Sequence, residues 1–153
     1  MTLTRLCLVA AVALLPVTLF AADKHEHAHD HAAHGSTATL TLDNGQKWQT
    51  DAPLRSGMSA IHRLVARMPD SAAAGKALAG AMRKEVDGIV RNCRLVPKAD
   101  AVLHVVIGDL VAAANDIDQA ATQGAREQGV HHVHRAIGNY TRYFNHPGWP
   151  KAE

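Results

Sequence analysis

From Thr50 to Phe144 apolar residues return at steps of three and four positions in four separate runs, and this period limits the possible folds more than any other feature of the chain. Leu54, Met58, Ile61, Val65 and Met68 make the first run, and Leu78, Met82, Val86, Ile89 and Cys93 the second. The third holds Leu103, His104, Ile107, Leu110, Val111, Ala114 and Ile117, and the fourth Val130, Val133, Ile137, Tyr140 and Phe144. Such steps keep side chains on one face of a helix, so each run predicts an amphipathic helix with a single buried stripe. Asp51 suits an N-cap with Pro53 in the first turn, a second helix starts near Ser71, Pro97 opens the third, and His146-Pro147-Gly148 stops the fourth. Gly124 and Gly129 blur where the fourth begins. Short connections between four such helices predict an all-α fold, an antiparallel up-down-up-down four-helix bundle over residues 51–146 with a C-terminal tail at 147–153.

Three different patterns precede the bundle. Residues 1–22 carry Arg5, an apolar stretch from Leu6 to Phe20, then Ala21 and Ala22, which is the order of a secretory signal peptide with cleavage near Ala22 or Asp23. The stretch is shorter than the ~20 residues of a spanning helix, so no membrane association is expected after cleavage. Residues 23–37, DKHEHAHDHAAHGST, hold His25, His27, His29, His31 and His34 among small and charged residues. With no apolar period this segment cannot offset its chain entropy and is expected to be disordered. In residues 38–50, Leu40 and Leu42 alternate with threonines and Asn44-Gly45 tolerates positive φ, which predicts a short β-hairpin.

Taking the 22 leader residues from the total of 153 leaves 131, enough for one domain. The chain has 16 Lys and Arg, of which Arg5 leaves with the leader, against 14 Asp and Glu, so nothing in its charge suggests nucleic acid. Cys7 also leaves, and Cys93 remains as a lone thiol in what is expected to be the periplasm. In an oxidising compartment such a thiol is buried, metal-bound or paired with another molecule.

Alternating helix directions would gather Met58, Cys93, His104 and His146 at one end of the bundle. Met58 and His104 sit about seven residues into their helices, ~10 Å from that end at 1.5 Å per residue. Side chains lean toward the N-terminus of their own helix, so Met58 and His104 would lean toward Cys93 on a helix running the other way. A thiolate, imidazoles and a thioether form a soft site of the kind that selects copper. The competing expectation is packing: cysteine behaves as a small hydrophobe and methionine fills core gaps. His104, set in an apolar stripe, would then bond Asp100 or a backbone carbonyl.

The five histidines of the 23–37 segment suit Cu(II), Ni(II) or Zn(II) on a flexible chain. His131 and His134 have a spacing that could share a metal, while His62 is expected at the rim of the core. No glycine-rich phosphate loop or paired-carboxylate constellation appears, so an enzyme is not expected.

The stretches LDNGQKW, TDAPLRSGM, NCRLVPKADAVLHVVIGDL and NYTRYFNHPGW resemble the DnrO-like family of short exported bacterial proteins, over roughly residues 40–149. That resemblance implies export, a histidine-rich lead-in and the same fold boundary, and its segments contain Met58, Cys93, His104 and His146. By architecture the chain is also similar to the four-helix b-type cytochromes. In those a methionine early in the first helix and a histidine late in the last hold haem; Met58 suits the first role, whereas His134 is too deep and His146 lies past the helix end. The expected function is therefore exported metal binding, most simply copper handling, buffering or electron transfer. Metal ions and a second periplasmic metal or redox protein are the expected partners. Non-covalent haem is one alternative, and a structural or partner-binding bundle presenting Trp48 and Trp149 is the other.

Overall fold

The computed structural model describes residues 39–150. The expected signal peptide and the histidine-rich segment, with its five candidate ligands, lie outside the described residues. Four helices dominate: α1 (Ala52–Leu64), α2 (Ala72–Asn92), α3 (Pro97–Gln119) and α4 (Gln123–Tyr143). Two short strands, β1 (Trp48–Gln49) and β2 (Phe144–Asn145), flank them.

Local chemistry explains where the helices start. Asp51 Oδ1 accepts from the Leu54 N–H at 3.0 Å, Ser71 Oγ from Ala74 at 3.1 Å and Thr122 Oγ1 from Ala125 at 3.2 Å. Each cap satisfies a backbone donor that has no partner within the helix, typically worth about 1 kcal/mol. α3 lacks a side-chain cap and starts instead on Pro97, whose fixed φ and missing N–H suit the first turn. Thr122 also places the start of α4 ahead of both Gly124 and Gly129.

Leu54, Met58, Ile61, Leu78, Met82, Val86, Ile89, Val106, Leu110, Ile117, Val130, Val133 and Tyr140 close into one core with Trp48 and Phe144. Burying each large apolar side chain contributes roughly 1.5–3 kcal/mol. Three stripe residues depart from expectation. Met68 lies beyond the end of α1 and is exposed, as is Val111. His104 is exposed as well, because the buried face of α3 runs through Val102, Leu103 and Val106 and leaves position 104 beside it.

The expected hairpin is corrected. Asn44 and Gly45 do adopt positive φ, 48° and 85°, and Asp43 and Gln46 exchange two backbone hydrogen bonds of 2.8 Å. That turn, however, carries only a single bridge. β1 instead pairs in parallel with β2, with Trp48 opposite Phe144 and Gln49 opposite Asn145. The reason is burial: Trp48 and Phe144 are both core residues, and pairing their backbones side by side removes two large rings from water at once.

Candidate functional site

α2 stops at Asn92, and Cys93 takes an extended backbone conformation as its C-cap before Pro97 starts α3. Beside this connection α2 and α3 enclose a cleft of about 250 Å³. Ile89, Leu103 and Ile107 line its apolar side, and Cys93, Asp100 and His104 its polar side. The His104 Nδ1–H donates to the Asp100 carbonyl oxygen at 2.8 Å, with the Asp100 carboxylate 3.4 Å from the same nitrogen. An imidazole held in this way keeps its proton on Nδ1 and offers the Nε2 lone pair to a ligand.

The Cys93 thiol is half-buried and lies beside the Asp51 carboxylate. Burial, and then the Asp51 charge, push it up to about 12, so near neutral pH it is a thiol and not a thiolate. Burial alone would raise the Asp51 carboxyl. Hydrogen bonds from the Arg94 N–H at 2.6 Å and the Leu54 N–H outweigh that effect and hold it below its usual value.

The other two residues of the expected copper site have different surroundings. Met58 is fully enclosed in the core. His146 follows β2, where its Nδ1 lies 2.8 Å from the Tyr140 hydroxyl and its Nε2 3.4 Å from Ser59 Oγ. Burial, and then the Arg55 charge, lower the His146 pKa and favour the neutral ring. Burial raises the Tyr140 hydroxyl, so it stays protonated and suits donation to that ring. The cleft thus brings together Cys93 and His104, while Met58 and His146 lie outside its lining.

No family model, curated protein or solved structure matches the chain. Site chemistry therefore has to be argued from the geometry. Among the described residues, no three His, Cys, Asp or Glu side chains gather into a group able to hold a metal ion. His131 and His134 have ring centroids 6.4 Å apart, edge to face, and both are exposed. His132 Nδ1 lies 2.9 Å from Asp116 Oδ2 in a groove between α3 and α4.

Two functional contacts were not anticipated from the sequence. Asp51 was expected only as a helix cap, and nothing local signals that its second oxygen meets a backbone N–H 43 residues away. The Tyr140–His146 contact did have a signal: a tyrosine in a buried stripe must find a partner for its hydroxyl, and His146 stands just past the helix end.

Proposed function

We propose that the protein is an exported copper-binding protein that takes up Cu(I) between Cys93 Sγ and His104 Nε2. The carrying observation is that the thiol and an imidazole tied through Nδ1 to Asp100 line one cleft. Metal-bound histidines are commonly oriented by such a contact on the opposite nitrogen, which fixes the tautomer and raises ligand basicity. Soft thiolate ligands favour Cu(I), an ion that accepts two ligands in a near-linear arrangement, so a two-residue site suits it where Zn(II) would need four. Neither Met58 nor His146 is a ligand in this reading. The histidines at 25, 27, 29, 31 and 34 collect Cu(II), Zn(II) or Ni(II) more weakly, and the leader-like residues 1–22 support export to the periplasm.

The finer fold description belongs to the same reading: helices that alternate in direction, up-down-up-down. Its support lies in facing positions. Gly57 on α1 meets Ile89 on α2, while Leu64, farther along α1, shares a groove with Ala81, earlier along α2. With α2 and α3 running oppositely, the end of one and the start of the other frame the Cys93 cleft.

Because Cys93 is protonated near neutral pH, Cu(I) must displace its proton, and affinity should rise about tenfold per pH unit between pH 6 and 8. The test is competition with a Cu(I) chelator strong enough to strip imidazole-only sites, using the full chain, Cys93→Ser and His104→Ala. Both variants are expected to lose the tight site while keeping their helix content. A tight site that survives Cys93→Ser, or one with no pH dependence, would refute the proposal.

A further inference from the structure

A second concave surface lies away from the cysteine. α1, α4 and the segment after β2 border a groove of about 520 Å³, within the usual range of small-molecule sites. Trp149 and Ile137 supply its apolar surface, and Lys47, His62, His134 and Thr141 its polar groups; among the described residues no carboxylate lines it. The wall is held rigidly, since the Trp149 ring packs against His146 at 4.8 Å, His62 at 5.1 Å and Tyr140 at 5.4 Å between centroids. The Lys47 Nζ donates to the Thr141 carbonyl oxygen at 2.6 Å, which keeps its charge at the rim with further N–H donors free. Gly138 leaves the α4 surface bare, and a Cβ added there would meet nothing within 4 Å.

We propose that this groove binds a small aromatic anion, a flat ring bearing a carboxylate or similar oxyanion. An indole face and aliphatic carbons accept the ring. A fixed ammonium and two imidazoles, unopposed by any carboxylate among the described lining residues, favour the negative group. A cation would find no counter-charge among the described lining residues, and a purely apolar ligand would gain nothing from the Lys47 ammonium, which would stay hydrated. The site shares no residue with the Cys93 cleft, so it stands or falls independently of copper binding.

The probe is naphthoate, with the uncharged naphthylmethanol as comparison, titrated into the full chain with a chelator present and followed by amide NMR. Shifts are expected to concentrate at Gly138, Thr141 and the Trp149 indole N–H, with the acid binding about tenfold tighter than the alcohol. Lys47→Gln should remove most of that preference and leave the alcohol unchanged. Gly138→Leu should fill the groove and abolish binding while the thermal midpoint holds or rises, because leucine outranks glycine in a helix. Shifts scattered over the molecule, acid and alcohol bound equally, or an unaltered acid affinity in Lys47→Gln or Gly138→Leu would overturn the proposal.

Discussion

Cys93 shows how burial, helped by one charged neighbour, can reset the chemistry of a side chain. An exposed thiol exists partly as thiolate at pH 8, and thiolate is the form that attacks electrophiles and binds metals. Partly withdrawn from water, and beside the Asp51 carboxylate, Cys93 is pushed up to about 12. At pH 8 the folded protein should therefore react with iodoacetamide at least about tenfold more slowly than the unfolded chain. Asp51→Asn removes the charge while asparagine still caps α1, so it should speed the reaction without melting the helix. Rapid alkylation of the native protein at pH 8 would contradict this account of the thiol. In the proposed reading of an exported copper-binding protein, the same protonation would protect Cys93 from oxidation until a metal displaces its proton.

At the scale of elements, the glycines decide how closely the helices approach. Gly129 on α4 faces Ile117 on α3, where an added Cβ would stand 2.6 Å from Cγ1 and 3.0 Å from the backbone nitrogen. A backbone atom cannot swing aside as a side-chain tip can, so α3 and α4 would have to separate. Gly129→Ala is therefore expected to destabilise by about 1–3 kcal/mol although alanine is the better helix former. Gly138→Ala, on the bare surface of the same helix, should instead stabilise by up to about 1 kcal/mol. Urea unfolding of the two variants checks the pair, and equal effects would mean that helix propensity alone governs both sites. In the sequence Gly129 reads as a blurred helix start. Its actual role depends on a residue from another helix, which no local window contains.

For the whole molecule, the lead-in closes the fold. Trp48 is buried, its indole N–H donates to the Thr41 carbonyl at 2.7 Å, and the Thr50 hydroxyl donates to the Asn145 carbonyl at 2.6 Å. A chain starting at residue 39 should keep the denaturation midpoint of the full chain and lose only the weak Cu(II) binding proposed for residues 23–37, because those residues lack core-forming side chains. Starting at residue 51 removes Trp48 and uncovers Phe144, at an expected cost of about 3 kcal/mol or more. Circular dichroism during urea unfolding, with a parallel metal titration, separates the cases; matching midpoints for the two truncations would refute the closing role of β1. Helix identity, the cap at Asp51, the helix start near Ser71 and most of the buried stripe were legible in the sequence, because a 3.6-residue period and a cap are set by residues within a few positions of each other. The Asn44-Gly45 turn was legible for the same reason. Only the tertiary structure could decide the parallel pairing of Trp48 with Phe144, the exposure of His104 and the contact of the Cys93 thiol with Asp51. Each joins residues from separate elements or turns on which side of a stripe is covered, and long-range packing sets both.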